Sequence, residues 1–349
     1  MQRCSCEQVF PQELKGDSAR PTLDGEPTED RVIDTDELLS IRAAELYYEE
    51  NKTQDEIGAV LRLTRWKVGR LLAQAKASGF IRIEIVHPRA RRLIVERRLR
   101  EHTGLTDAVV VSAAGVSTDE ELQSRAAQAA ADYLTALRPV PATLGISWGR
   151  TLHEVAQGLK PGWARGVNVV QINGGVSLNR RTGTAAATAV TMAQKALGSA
   201  TLLPSPAILE RVETKLAIES DRAVAAVLDL GSAASAYLFS AGQADENSAL
   251  VDSGYLTAEQ VAELVRKGAV GDIVGRYINA DGHIVDLELD ERTIGIRLEQ
   301  LRRAPTAIAV IAGSTKHAIA RAIVSSGLCT VLVTDEDTAL AVLGEAPRP

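Results

Sequence analysis

The sequence predicts a large α/β domain built on a doubly wound, mainly parallel sheet, preceded by a small winged helix-turn-helix domain. Beyond Gly104, short and near-continuously apolar runs alternate with longer helical patterns, as strands buried on both faces require. Before that point, three amphipathic segments are punctuated by threonines in N-cap positions. Residues 62–100 carry twelve Lys/Arg against two Asp/Glu, so the remainder of a chain with net charge −6 must carry −16. Such an asymmetry suits one part of the molecule to a polyanion, although a solvated basic surface would give the same count.

The N-terminal elements follow in order. Leu38, Leu39, Ile41, Ala44, Leu46 and Tyr47 recur at helical spacing and end at the polar run 49–52. Thr53 then stands as an N-cap with Glu56 as its capping-box partner, and Ile57, Val60 and Leu61 are expected to face inward. Residues 62–64 make a turn. Thr64 caps a third helix that buries Val68, Leu71, Leu72 and Ala75 and stops at Ser78 and Gly79. Two helices joined by a tight turn, the second with basic outward positions, form the arrangement that seats a recognition helix in the major groove of operator DNA. The candidate DNA-contacting residues are Thr53, Gln54, Thr64, Arg65, Trp66, Lys67 and Arg70. Residues 80–86, F-I-R-I-E-I-V, alternate as a wing strand carrying Arg82. A basic helical segment over 89–104 is read as a linker helix, with Leu93, Ile94 and Leu99 as its sparse apolar positions.

In the large domain, strands are expected at 107–112, 142–147, 167–173, 200–203, 234–240, 307–312 and 330–334, and helices at 120–137, 185–197, 258–267 and 316–326. The organisation is therefore a leader at 1–34, a winged helix-turn-helix domain at 35–88, the linker helix at 89–104 and the α/β domain at 105–345. The 349 residues are 45% hydrophobic and 24% charged, and no apolar run approaches the roughly 20 residues of a membrane-spanning helix. The leader lacks the basic start, apolar centre and small-residue cleavage site of a secretory signal, so the expectation is a cytoplasmic protein without a membrane partner. Three cysteines are too few for a disulfide framework, and Cys329 lies in an apolar run. Cys4 and Cys6 form a C-x-C with no further Cys or His nearby in a leader read as disordered, so neither a metal nor a cofactor is expected.

The segment 53–83, T-Q-D-E-I-G-A-V-L-R-L-T-R-W-K-V-G-R-L-L-A-Q-A-K-A-S-G-F-I-R-I, is the first of an ordered series of motifs. The others are G-I-S-W-G-R-T at 145–151, G-G at 174–175, V-G-D-I-V-G-R-Y-I-N-A-D-G at 270–282, R-T-I-G-I at 292–296, I-A-G-S-T-K at 311–316 and V-T-D-E-D-T-A at 333–339. In this order they resemble the SorC/DeoR-like family of sugar-binding transcriptional regulators, over about 38–343. The resemblance implies an effector domain similar in fold to sugar-phosphate isomerases and deaminases. It also implies a homotetramer (a dimer of dimers), and operator binding controlled by a sugar or sugar phosphate. Gly69 departs from the family, which usually carries serine or a similar polar residue there; a mid-helix glycine costs about 1 kcal/mol relative to alanine.

The proposed effector contacts have chemical reasons of their own. Gly149, Arg150 and Thr151 lie between a strand and a helix, where open backbone N–H groups favour anions; a plain strand-to-helix turn is the alternative. Gly174 and Gly175 could bring the backbone close to a ligand or serve conformation only. Gly313, Ser314, Thr315 and Lys316 repeat the strand-to-helix arrangement, and Lys316 resembles the family lysine that meets the effector's phosphate. Asp272 and Asp281 can accept hydrogen bonds from sugar hydroxyls, although Asp281-Gly282 is also a turn signal. No other lysine lies in a matched pocket motif, so binding is expected to be reversible and noncovalent. The competing reading is an isomerase- or deaminase-like enzyme with an accessory domain. It needs a positioned acid/base pair, and His153, His283 and His317 form no recognisable catalytic set, so no catalytic residue is assigned.

Overall fold

The computed structural model describes residues 35–81, 87, 90–175 and 185–346. The chain divides into two units, Met1–Ile83 and Glu84–Pro349. The leader with Cys4 and Cys6, and all of the expected wing strand beyond Ile81 including Arg82, lie outside the described residues.

In the first unit, helices α1 (Thr35–Tyr48), α2 (Gln54–Leu61) and α3 (Arg65–Ala77) enclose a core of Ala43, Leu46, Ile57, Val68, Leu71 and Ala75. Each helix start has a local cause. Thr53 and Glu56 close a reciprocal capping box on α2, and the Thr64 hydroxyl accepts the Lys67 N–H at the head of α3. The turn between them is tight enough that a Cβ on Gly58 would stand 2.7 Å from the Leu63 carbonyl oxygen. Val60, expected inside, is 54% exposed. An eight-residue helix offers its neighbours one narrow stripe, and here Ile57 and Gly58 occupy it.

The second unit opens with α4 (Leu93–Thr103), the segment read as a linker helix. It buries Val95, Glu96 and Leu99 against its own unit, while Leu93 and Ile94 face solvent. Glu96 is tolerated inside because Arg91 and the Val110 N–H both donate to its carboxylate. The chain continues through β1 (Asp107–Val111), α5 (Asp119–Ala136), β2 (Thr143–Ile146), α6 (Arg150–Gly158), β3 (Asn168–Gln171), α7 (Ala185–Lys195), β4 (Ser199–Thr201), α8 (Val212–Ser220), α9 (Arg222–Ser232) and β5 (Ala236–Phe239). A small antiparallel insertion follows: β6 (Ala241–Gly242), α10 (Ala249–Asp252), α11 (Ala258–Arg266), β7 (Gly271–Ile273) and β8 (Arg276–Ile278). Then come α12 (Leu287–Arg292), α13 (Leu298–Arg303), β9 (Ala307–Val310), α14 (His317–Ser325), β10 (Val331–Asp335) and α15 (Glu336–Val342).

All seven strands expected from the sequence join one sheet of order β1-β10-β9-β5-β2-β3-β4, and every pairing in it is parallel. Alternation along the strands divides the core. Val109, Val111, Leu238, Ile308 and Val310 pack with α5, α6 and α7 on one face. Ala108, Val110, Tyr237, Phe239, Ala307 and Ala309 pack with α4, α14 and α15 on the other. Gly145 in β2 belongs to this packing, since a Cβ there would meet Ile172 at 2.7 Å and the Tyr237 ring at 2.8 Å. No helix among the described residues is long and apolar enough to cross a membrane.

Candidate functional site

The sheet order creates a crevice. From β2 the chain moves outward to β3, whereas from β5, the neighbour of β2, the next strand of this sheet is β9 on the opposite side. The carboxyl ends of β2 and β5 therefore lie at a topological switch point, where the following loops part and leave room for a ligand. A cleft of about 1000 Å³, counting its solvent-open mouth, occupies that place. Its walls come from Ser147 to Thr151 after β2, Asn173 after β3, Ser240 to Gln243 after β5, the head of α10, Asp272 and Val274 around β7, and Lys316 after β9.

Gly149, at φ +143, is the N-cap of α6, and no side chain caps that end; the helix start is left open beside Arg150 and the buried Thr151. Lys316 is 7% exposed; its backbone N–H donates to the Gly313 carbonyl at 3.0 Å, but its ammonium makes no hydrogen bond or ion pair among the described residues. Burial and the neighbouring Arg150 guanidinium push its ammonium down to about 8, against the opposing pull of Asp272 and Asp119. Burial raises the Asp272 carboxyl to about 6, restrained by the Gly275 N–H, which donates at 3.0 Å, and by Lys316. Arg150 and Lys316 thus share the cleft with Asp272, whose charge burial itself disfavours, and with the exposed Asp252 of α10, so the cations count for most at the buried end, where an anion is suited.

The neutral groups of the cleft are unsatisfied as well. Asn173 is 1% exposed, yet among the described residues neither its Nδ2 nor its Oδ1 has a partner, and the Ser240 hydroxyl and the Trp148 indole N–H are also buried without one. A buried polar atom left unpaired costs about 1–3 kcal/mol, so a cluster of them around one cavity is a set of donors and acceptors poised for a ligand.

Of the residues chosen from sequence, Gly149, Arg150, Thr151, Asp272 and Lys316 line this cleft. The others are held elsewhere by the protein. Gly174 and Gly175 line no part of it; a Cβ on Gly174 would stand 2.1 Å from the Pro206 oxygen, and both glycines hydrogen-bond across to neighbouring loops. Asp281 sits in an exposed turn whose N–H groups are collected by the Asn279 side chain. In the Gly313 loop, the Gly313 N–H donates to Asp335 at 2.8 Å, and the Ser314 N–H and hydroxyl donate to Asp119 Oδ2 at 3.0 and 2.9 Å. Thr315 pairs with Gln243. Sequence reasoning missed Asn173, Ser240, Gln243 and Asn247. The signal was available for the first two: each is the polar last residue of an apolar run expected to be a parallel strand, the end at which ligands gather.

In the first unit, α3 presents Trp66, 73% exposed, with the Arg70 guanidinium 5.4 Å from its ring centroid. Arg65 is exposed and lies 3.5 Å from Asp55. Lys67 is turned inward, its ammonium on Asp36 of α1 at 2.8 Å. Thr53 and Thr64 are N-caps, and Gln54 is half-buried next to Gly69.

The Sugar-bind family, a sugar-binding domain, matches residues 88–344. The deoxyribonucleoside regulator of Bacillus subtilis is 32% identical over 312 residues, covering 88% of this chain and 97% of that protein. The crystal structure of the full-length sorbitol operon regulator SorC from Klebsiella pneumoniae superposes with a TM-score of 0.67 at 26% identity, covering 88% of this chain and 98% of that one. A DeoR family transcriptional regulator from Listeria monocytogenes gives a TM-score of 0.66 at 26% identity over 72% of this chain and 98% of its own. With an all-parallel sheet, a ligand-ready cleft at its switch point and a match that continues through the N-terminal helices, this chain belongs to the SorC/DeoR-type family of sugar-binding transcriptional regulators.

Proposed function

We propose that the protein is a cytoplasmic, non-enzymatic transcription regulator of carbohydrate metabolism, whose hold on operator DNA is controlled by a sugar or sugar phosphate bound in the switch-point cleft. The observation that carries the ligand class is the co-location of neutral groups without a partner among the described residues, Asn173, Ser240 and Trp148, with the cations Lys316 and Arg150. The first set suits hydroxyls and the second an anionic group on the same molecule, so a phosphorylated sugar is the favoured effector. The names of the Bacillus and Klebsiella relatives, a deoxyribonucleoside and a sorbitol operon regulator, point to the same chemistry.

On this reading α2 and α3 are the helix-turn-helix. Arg65, Trp66 and Arg70 face the major groove, and the segment 80–86, which supplies Arg82, is a further DNA contact. The assembly is a homotetramer, and the large domain shares its ancestry of fold with sugar-phosphate isomerases and deaminases. A thermal-shift panel of matched sugars, polyols and their phosphates tests the effector, with Lys316→Ala expected to abolish the phosphate-dependent part of the shift. Equal shifts in mutant and wild type would refute the anion role. Mobility shift on DNA upstream of the protein's own coding sequence tests the reader, with Arg65→Ala plus Arg70→Ala expected to lose binding.

One observation favours the enzyme alternative. Asp272 near 6 and Lys316 near 8 have the separated acidities of an acid/base pair. Turnover of any sugar phosphate in the panel, lost in Asp272→Asn, would establish it.

A further inference from the structure

Gly69 is a glycine that the fold does not require. Gly58, in the same unit, has its Cβ position blocked by the Leu63 carbonyl, but at Gly69 the nearest atom to an added Cβ is Gln54 Oε1 at 3.4 Å, an ordinary contact. The residue lies in the middle of α3, where glycine is the least favourable choice short of proline. Alanine would fit and would strengthen the helix, so packing among the described residues gives no reason for the glycine.

What it leaves open is a shallow notch walled by Gln54, Arg65, Trp66, Arg70 and Ala73. Trp66, Gly69, Arg70 and Ala73 fall at i, i+3, i+4 and i+7 and so share one helix face. The notch combines two small residues, Gly69 and Ala73, and the exposed indole of Trp66 with the Gln54 amide on one side and two arginines, Arg65 and Arg70. A polyanion with an apolar knob fits this combination. In the major groove of duplex DNA the apolar feature of the base edges is the thymine 5-methyl group, and arginines beside it reach guanine or phosphate.

We propose that the Gly69 notch is a receptor for a thymine 5-methyl group, making Gly69 and Trp66 specificity-determining residues for the operator. The proposal rests on the DNA-binding reading given above. It is tested with the full-length protein by selecting bound sequences from a random duplex library. Each thymine of the selected site is then replaced by deoxyuridine, which removes only the methyl group, and affinities are compared.

At one position the wild type is expected to bind the deoxyuridine duplex about fourfold more weakly, the fold-change for one buried methyl group. Gly69→Ala, checked by circular dichroism and expected to melt no lower than wild type, fills the notch and should bind thymine and deoxyuridine duplexes equally. Wild-type affinity indifferent to deoxyuridine at every thymine overturns the proposal, as does a Gly69→Ala protein that keeps the discrimination. Failure to select any sequence overturns the DNA-binding reading beneath it, a result distinguishable from both.

Discussion

If Lys316 holds an anionic effector, affinity must depend on pH in a manner set by its burial. In the free protein the ammonium titrates near 8, so it is about nine-tenths protonated at pH 7 and about one-tenth at pH 9. A bound phosphate that keeps the ammonium charged throughout this range would therefore lose at most about tenfold in affinity between pH 7 and pH 9. Phosphate itself, with its second pKa about 6, is already largely the dianion at the lower end of this range. Asp272, raised to about 6, titrates mainly below the window. The assay is isothermal calorimetry at constant ionic strength, using the sugar phosphate that gives the largest thermal shift, on wild type and Lys316→Met. The wild type should weaken as pH rises through about 8, and Lys316→Met should bind weakly and without that slope. A flat wild-type profile, or the same slope in the variant, would refute the reasoning. Stability provides a second readout. The folded-state value lies below the ordinary 10.5, so the unfolded chain binds more protons between about 8 and 10.5 and wild-type stability gains from Lys316 as pH rises through that window. Lys316→Met should accordingly exceed wild type in stability below pH 8, the gap closing toward 10.5.

Other perturbations follow from the same geometry. Asp119→Asn removes a carboxylate that occupies the Ser314 N–H and hydroxyl and should tighten sugar-phosphate binding severalfold by calorimetry; weaker or unchanged binding would mean that this loop does not take part. Asn173→Leu removes two unpaired buried atoms and should raise the unliganded melting temperature, with a gain of about 1–3 kcal/mol, while eliminating the effector-induced shift; a melting temperature that falls would show the amide to be satisfied. Gly174→Ala places a Cβ 2.1 Å from the Pro206 oxygen and should cost about 1–3 kcal/mol in urea denaturation, whereas an unchanged midpoint would contradict the close approach. Lys67→Met should weaken DNA binding less than Arg65→Ala, because its charge is spent on Asp36; mobility-shift titration decides between them.

Much of the molecule was legible in the chain, because the determinants are local. A threonine followed three residues later by glutamate or by a free backbone N–H sets a helix start wherever the chain lies, and Thr53 and Thr64 do so. A short, near-continuous apolar run marks a strand buried on both faces of a parallel sheet, and the seven such runs all entered the sheet. The pairing of β6, β7 and β8 into a separate antiparallel sheet was not legible, since strands of two or three residues leave too little periodicity to read. Val60 was misplaced for a related reason: periodicity names a helix's apolar residues but not which of them the neighbouring helices reach.

The site divides along the same line. By itself the sequence determined that glycine-bearing strand-to-helix turns would stand at Gly149 and Gly313, that lysine and arginine would follow them, and that the basic charge would gather N-terminal to the large domain. Only the tertiary structure decided which of these groups meet. Sheet order, a property of long-range pairing, brought the ends of β2 and β5 together and gave Asn173 and Ser240 a common cavity. Packing within the first unit turned Lys67 onto Asp36, and packing within the second gave the Ser314 donors to Asp119 and left Asp281 in a solvent-exposed turn. A side chain's identity fixes what it can bind, but its competitors for that bond are set by the fold, and no local pattern along the chain names them.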